Sequence, residues 1–170
     1  MTGEGSVLYD VYVLGQAVNE LLADGLADAP LTPSEYAVYS AIAERGTSTP
    51  SELSHALGMP AQTMSDWLGL LRDRRHAETR RNPRDGRSQL VTLTSAGRRA
   101  HRSTNRLFEV VYRRFLDELS LPEEEARRLL GEVVNAARVA HGERGQRASR
   151  ANRAQGALST ASRVASTPPK

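Results

Sequence analysis

Arginine is concentrated in one stretch of this chain, between positions 72 and 102. The stretch holds ten arginines against three acidic residues, a local net charge of +7, while the whole chain of 170 residues carries only +3. A guanidinium offers several N–H donors in a rigid, permanently charged fork, which suits phosphate oxygens and the edges of bases. The pattern predicts a nucleic-acid partner, because a clustered basic patch is the usual electrostatic footprint of phosphate binding.

Short polar side chains precede the arginines on one side of a predicted helix that begins near Pro60. The other side is apolar at helical spacing, and Trp67 belongs to that inward side rather than to a surface that stacks on bases. The candidate base-reading residues are Gln62, Thr63, Ser65 and Asp66. Glutamine can bridge N6 and N7 of adenine, whereas the Asp66 carboxylate repels phosphate and can at best accept from cytosine N4. The alternative is an ordinary solvated helix face.

A basic hairpin is predicted next, with strands over 78–81 and 88–93 and a turn over 82–86. Arg87 at its tip is the strongest candidate for DNA contact, because a narrow minor groove attracts guanidinium groups. Asp85 can hold the Arg87 fork in place. Contact with phosphates, or electrostatic steering of DNA, is expected of Arg80, Arg81 and Arg84. The alternative is a plain Asp-Gly turn with solvated arginines.

The hairpin resembles the wing of the MarR family of winged-helix transcription regulators. The matching residues are Asp85-Gly86-Arg87-Ser88, Val91-Thr92-Leu93-Thr94 and Gly97. The resemblance covers roughly residues 5–141 and is sharpest over 49–97. It implies a homodimer that binds palindromic double-stranded DNA, and the two subunits are expected to interlock through their first, fifth and sixth helices. The family usually has glycine at Arg75 and an apolar residue at His76, so the helix end is expected to be extended or differently capped.

The resemblance also implies a small effector, often aromatic or anionic, bound between the dimerisation region and the DNA-reading region. The residues that could line such a cleft by position are Tyr12, Tyr36, Tyr39 and His101. For each of them a packing role is the alternative.

The elements that position these residues are mainly helices. The repeated motif Thr-Pro-Ser-Glu at 32–35 and 49–52 is a capping box, which predicts two helix starts. The expected fold is mainly α with a small β-hairpin wing. A winged helix-turn-helix region over 31–97 is joined to a helical dimerisation region, formed by an N-terminal helix within 1–30 and C-terminal helices over 98–141. Residues 142–170 have a net charge of +5 and few large apolar residues, which predicts a disordered basic tail.

Several classes of function are disfavoured by what the sequence lacks. It has no cysteine, its histidines at 55, 76, 101 and 141 lack metal-ligand spacing, and no nucleophile motif is present. We therefore expect no enzyme activity, no metal and no cofactor. No apolar run approaches the roughly 20 residues that span a bilayer, and the N-terminus lacks a signal-peptide pattern, so a cytoplasmic protein without membrane contact is expected.

The leading hypothesis is a homodimeric, sequence-specific DNA-binding transcription regulator, a ligand-responsive repressor of a palindromic operator. The alternative is a winged-helix interaction or architectural DNA-binding module without sequence specificity or effector. For the dimer itself, the alternative is a monomeric bundle that packs its own terminal helices together.

Overall fold

The structure is a computed structural model that describes residues 5–142. Within that range the chain forms six helices and one two-stranded antiparallel sheet. The elements are α1 Val7–Gly25, α2 Pro33–Arg45, α3 Pro50–Leu57, α4 Ala61–Asp73, β1 Ala77–Arg81, β2 Gln89–Leu93, α5 Ser95–Glu118 and α6 over 123–142. The expected fold class, mainly α with a small β-hairpin, is confirmed.

The described residues fall into two compact units, divided between Asp117 and Glu118. The first unit contains α1 to α4, the hairpin and nearly all of α5; the second contains α6. Apolar residues on α6 are exposed, including Leu129, Leu130 and Val134. The described helix extends to residue 142, and the expected basic tail otherwise lies outside the described residues. The expected domain boundaries stay predictions.

Both capping boxes form as predicted. Thr32 Oγ1 accepts from the Glu35 backbone N–H at 3.3 Å, and Glu35 Oε2 accepts from the Thr32 N–H at 2.9 Å. Thr49 and Glu52 repeat this exchange at 3.2 Å and 2.7 Å. Each box satisfies backbone donors that a helix start leaves unpaired, which fixes where α2 and α3 begin.

The core of the first unit is built from α2, α3, α4 and the hairpin. Its fully buried side chains include Tyr39, Ile42, Leu53, Met64, Leu71 and Val91. Trp67 is partly buried against this cluster, as its position on the inward side of the helix predicted. The base of the hairpin is tied to the α2–α3 connection, because Ser48 and Val91 exchange two backbone hydrogen bonds of 3.2 Å and 2.8 Å.

Helix α1 packs closely at its C-terminal end only. A Cβ added to Gly25 would lie 2.2 Å from Val111 Cγ2 of α5, so the two helices approach through a glycine. Further towards the N-terminus the apolar side chains of α1 are exposed, among them Val7, Leu8, Val11, Tyr12 and Leu14, which lie on one side of the helix. We call these five residues the apolar N-terminal face of α1. In a single chain this face is exposed to solvent.

Gly97 lets the start of α5 dock on the backbone that follows α4. A Cβ there would lie 2.1 Å from the His76 carbonyl oxygen, which also accepts from the Thr94 N–H at 2.9 Å. The Thr94 hydroxyl donates to the Arg75 carbonyl at 2.8 Å and accepts from the Gly97 N–H at 3.2 Å. Glycine is therefore required at 97 by space, since any side chain would force this junction apart.

We expect Gly97→Ala to destabilise the chain by about 1–3 kcal/mol, as other overpacked sites do. Urea unfolding followed by circular dichroism measures the effect. Gly69→Ala is the matched control, because Gly69 also lies in a helix but a Cβ there meets nothing within 4 Å. That variant should be more stable by about 0.5–1 kcal/mol. Equal stabilities for the two variants would contradict the close approach at Gly97.

Candidate nucleic-acid interface

The polar face of α4 is exposed as a continuous surface. Met64, Leu68 and Leu71 are buried, and they direct the opposite side of the helix to solvent. That side carries the four candidate base-reading residues predicted from the sequence, and all of them are exposed: Gln62, Thr63, Ser65 and Asp66. The structure thus brings these candidates together on one accessible helix face, as a major-groove reader requires.

Gln62 and Asp66 are hydrogen-bonded to each other on this face. Gln62 Nε2 donates to Asp66 Oδ1 at 3.0 Å. The pair was not predicted, although the i,i+4 spacing of its two residues on a helix is a signal for it. The carboxylate is therefore already engaged within the helix surface.

The wing loop is held in shape by its own polar groups. Asn82 donates to Ser88 twice, from its backbone N–H to the Ser88 carbonyl at 3.1 Å and from Nδ2 to Ser88 Oγ at 2.8 Å. The Ser88 N–H donates to the Asp85 carbonyl at 3.0 Å. A loop closed by these bonds holds its arginines on a defined backbone. Such a loop would lose less conformational entropy on binding a partner than a flexible one.

Asp85 contacts the backbone of Arg87 rather than its guanidinium. Asp85 Oδ1 accepts from the Arg87 N–H at 3.1 Å, and in the described part of the chain no ion pair joins the two side chains. The expectation that Asp85 holds the fork thus changes: in the free chain the carboxylate shapes the turn that carries Arg87. This is the local bond typical of an Asp in a turn.

The remaining wing arginines divide into two groups. Arg81 Nε donates to the Gly86 carbonyl at 3.3 Å, so its guanidinium lies against the loop. Arg80, Arg84 and Arg87 are exposed, and so is Arg81. Exposure therefore does not separate the four side chains, and Arg81 differs only in that it also braces the turn.

The end of α4 is capped in an unusual way. The helix ends at Asp73, and Arg75 has φ +56°, the left-handed conformation in which glycine is favoured. The His76 N–H donates to the Leu71 carbonyl and the Arg75 N–H to the Arg72 carbonyl, both at 2.8 Å. The helix is therefore not extended. Arg75 takes the backbone conformation of a terminal glycine, at a cost of roughly 1 kcal/mol.

Two side-chain contacts hold this strained turn. Arg74 forms a 2.6 Å ion pair with Glu35 at the start of α2. The Tyr39 hydroxyl lies 2.8 Å from His76 Nδ1. Residues on both sides of Arg75 are thereby fixed to α2, which sets the direction of the chain between α4 and the wing.

Glu35 is the most buried acid at this junction. One of its oxygens caps α2 and the other meets Arg74, and the residue is only 6% exposed. Burial by itself raises the pKa of Glu35, but the hydrogen bonds from Thr32 and Arg74 and the charge of Arg74 outweigh it, so the pKa lies below its usual value. The sequence identified Glu35 only as a capping residue.

Two of the four effector candidates lie together between α2 and α5. The rings of Tyr36 and His101 are stacked with centroids 5.4 Å apart, and Ser40 Oγ is 3.1 Å from His101 Nε2. Phe108 was not among the predicted residues, and its ring centroid lies 4.9 Å from that of Tyr36. Its spacing from His101 along α5, i to i+7, is the signal that could have found it. Burial lowers the pKa of His101 from its usual value.

The other two candidates are placed elsewhere. Tyr39 is completely buried and bonded to His76, so it is part of the core below α4. Tyr12 is 65% exposed on α1.

Among the described residues, no group of His, Asp or Glu side chains could hold a metal ion. No helix in that part of the chain is long and apolar enough to cross a membrane.

The comparison with protein families finds the MarR family over residues 29–88, a range that includes both capping boxes, α4 and most of the wing. No curated protein is found to match the chain. Many solved structures do match it. The fold and the resemblance to the MarR family are thus confirmed.

Three of these structures illustrate the range. A probable transcriptional regulator from Pseudomonas aeruginosa has a TM-score of 0.64 and 28% identity, over 76% of this chain and 98% of that one. The M. tuberculosis transcriptional regulator MOSR, in complex with DNA, has a TM-score of 0.69 and 20% identity, over 79% and 98%. PcaV from Streptomyces coelicolor, with its natural ligand, has a TM-score of 0.62 and 23% identity, over 82% and 94%. All three proteins are named as transcriptional regulators.

We expect Glu35→Gln to destabilise the chain by roughly 1–3 kcal/mol at neutral pH, less than for a fully buried ion pair because Arg74 is partly exposed. A glutamine still caps α2, so the loss reports mainly the contact with Arg74. Because the folded-state pKa of Glu35 is lowered, its contribution is complete above the unfolded pKa and is lost as the pH falls through the folded pKa. Unfolding free energies measured by urea titration between about pH 6 and pH 3 should therefore fall less steeply in the variant than in the unaltered chain.

Glu52→Gln is the matched control for this experiment. Glu52 occupies the same position in the second capping box but is exposed and has no ion pair of this kind. Its substitution should have a much smaller effect at neutral pH. Identical losses for Glu35→Gln and Glu52→Gln would mean that capping, and not the contact with Arg74, accounts for the stabilisation.

Proposed function

We propose that this chain, which carries the winged-helix segment of the MarR family over residues 29–88, is a homodimeric, sequence-specific DNA-binding transcription regulator. In this proposal it acts as a ligand-responsive repressor of a palindromic operator. The observation that supports it best is that one compact unit contains both the exposed polar face of α4 and a wing whose loop is held by its own hydrogen bonds and carries arginines. Helix α4 would lie in the major groove, and Arg87 would enter the adjoining minor groove.

A second copy of the chain is the partner that we propose for the apolar N-terminal face of α1. Val7 and Leu8 are 62% and 74% exposed in the single chain, and three further apolar side chains continue the same surface. An apolar surface of this extent on an isolated chain usually marks an interface. A two-fold dimer would also present two α4 helices to half-sites about one DNA turn apart. Sedimentation of the full chain at micromolar concentration distinguishes this dimer from a monomeric bundle.

We also propose that the effector site lies at Tyr36 and His101. The stacked rings and the neighbouring Phe108 offer flat apolar surfaces, and Ser40 and Asn105 add hydrogen-bonding groups. Because burial lowers the pKa of His101, its ring is neutral at neutral pH, which favours an aromatic effector over one selected only for its negative charge. An effector there would shift the population between dimers that fit the operator and dimers that do not.

We also propose a cytoplasmic location, because a regulator of this kind must have access to the DNA.

Selection of bound sites from random duplex DNA tests the function directly. A regulator should enrich one palindromic sequence, and its affinity for that sequence should fall steeply between low and physiological salt, because arginine–phosphate contacts release counterions. The alternative, an architectural or interaction module, would bind all sequences alike at fixed salt. Absence of enrichment together with a nearly flat salt dependence would contradict DNA binding altogether.

We expect Arg87→Ala to weaken binding to the selected site by about 1–3 kcal/mol per subunit, the usual value of a good groove contact. Thermal stability should stay nearly unchanged, because the side chain is exposed in the free chain. Asp85→Ala should give a smaller loss in the same direction, since it releases the Arg87 backbone from the turn. Fluorescence anisotropy with labelled operator, beside thermal melts, measures both quantities.

Glu78→Ala is the control for charge in this series. Glu78 is an exposed acid on β1 that takes no part in the wing turn, so its removal should leave affinity equal or slightly higher. Tighter binding by Asp85→Ala, or full affinity in Arg87→Ala, would mean that the wing does not read the groove.

A further inference from the structure

The hydrogen bond between Gln62 and Asp66 limits which atoms Gln62 can offer to a base. An ionised carboxylate only accepts hydrogen bonds, so the Gln62 amide must turn its NH₂ group towards Asp66 Oδ1. One of the two amide hydrogens is used in this contact. The atoms that remain for an external partner are the carbonyl oxygen, an acceptor, and the second N–H, a donor.

Adenine is the base whose major-groove edge matches this pair of atoms. It presents one acceptor, N7, beside one donor, the N6 amino group. Guanine presents two acceptors, N7 and O6, so its O6 would face the Gln62 carbonyl oxygen without a hydrogen between them. Cytosine offers only a donor and thymine only an acceptor and a methyl group, so each can make a single hydrogen bond.

We infer that Gln62 and Asp66 act as one base-reading unit that selects adenine over guanine at one position of each DNA half-site. Asp66 in this inference does not contact a base. It is a positioning residue that keeps Gln62 in the orientation complementary to adenine. The inference rests on the proposed DNA-binding function, to which it adds an operator base and the source of its selection.

The position of an acid on a DNA-facing helix supports this division of roles. An Asp66 that neither bonded Gln62 nor contacted a base would only repel the phosphates, at an energetic cost to binding. Both side chains are exposed, and the pair contributes only a few tenths of a kcal/mol to an isolated helix, so fold stability does not account for its placement. Selectivity between bases does account for it, because a glutamine without Asp66 can turn either end of its amide outwards.

The experiment measures dissociation constants of the full chain for a set of duplexes in which each base pair of the selected site is replaced in turn. The unaltered chain should prefer adenine to guanine by at least about 10-fold at one position of each half-site. Gln62→Ala should reduce that ratio to within about 2-fold while leaving ratios at other positions unchanged. Asp66→Asn keeps the side-chain shape but can donate as well as accept. It should lower the same ratio several-fold while overall affinity rises.

Two control variants separate orientation from charge. Asp66→Glu retains an acceptor-only group and should keep the preference for adenine. Asp73→Asn removes an exposed acid from the end of the same helix and should leave every base ratio unchanged. Circular dichroism melts of all variants should coincide, because the altered side chains are solvated.

The outcomes distinguish this inference from the proposed function. If the unaltered chain enriches no DNA sequence, the regulator function and the inference both fail. If it enriches a site at which Gln62→Ala changes no adenine-to-guanine ratio, the inference alone is overturned. It is also overturned if Gln62→Ala removes the preference while Asp66→Asn keeps it, because Asp66 would then have no part in orienting the glutamine.

Discussion

The left-handed turn at Arg75 is the constraint on which the arrangement of α4 and the wing depends. It lies in the short connection between the end of α4 and the start of β1, so its geometry decides how the two elements are placed. A non-glycine residue adopts this conformation only when its surroundings impose it. Here the surroundings are the Glu35–Arg74 ion pair, the Tyr39–His76 contact and the docking of Gly97 on the His76 carbonyl. Three elements thus meet at one short segment, and each restrains the same few backbone torsions.

Stability and DNA contact are assigned to different residues in this chain. Except for the partly exposed Arg74, the groups around Arg75 are buried or half-buried, and they join α2, α4 and α5. The groups proposed to meet DNA are exposed and bonded mainly to their own element, as in the Gln62–Asp66 pair and the Asp85–Arg87 turn. If these groups meet DNA as proposed, substitutions among them would change base preference with little effect on folding. The buried junction lacks this tolerance, because its contacts cross between elements.

Local chemistry made much of the fold predictable from the sequence. The two Thr-Pro-Ser-Glu boxes fix helix starts through bonds that span three residues, and the apolar spacing of α4 identifies its buried side. The end of α4 was not predictable in the same way. Arg75 favours no left-handed turn by itself, and the Tyr39–His76 contact joins residues 37 positions apart. At the wing, composition identified the arginines, and the turn preference of aspartate was the signal for the bond from the Arg87 backbone to Asp85, which the sequence analysis assigned to the Arg87 side chain instead.

The basic surface of this protein is made of arginine almost without lysine. The sequence has 23 basic residues, of which only Lys170 is a lysine, so every positive side chain of the wing is a guanidinium. A guanidinium keeps its charge throughout the physiological pH range and is not a substrate for the acetylation that neutralises lysine. The positive charge of the wing is therefore constant against both acidity and acyl transfer. Control of such a surface has to come from its geometry or from the surrounding salt, and amine-reactive labels or cross-linkers would leave the wing unmodified.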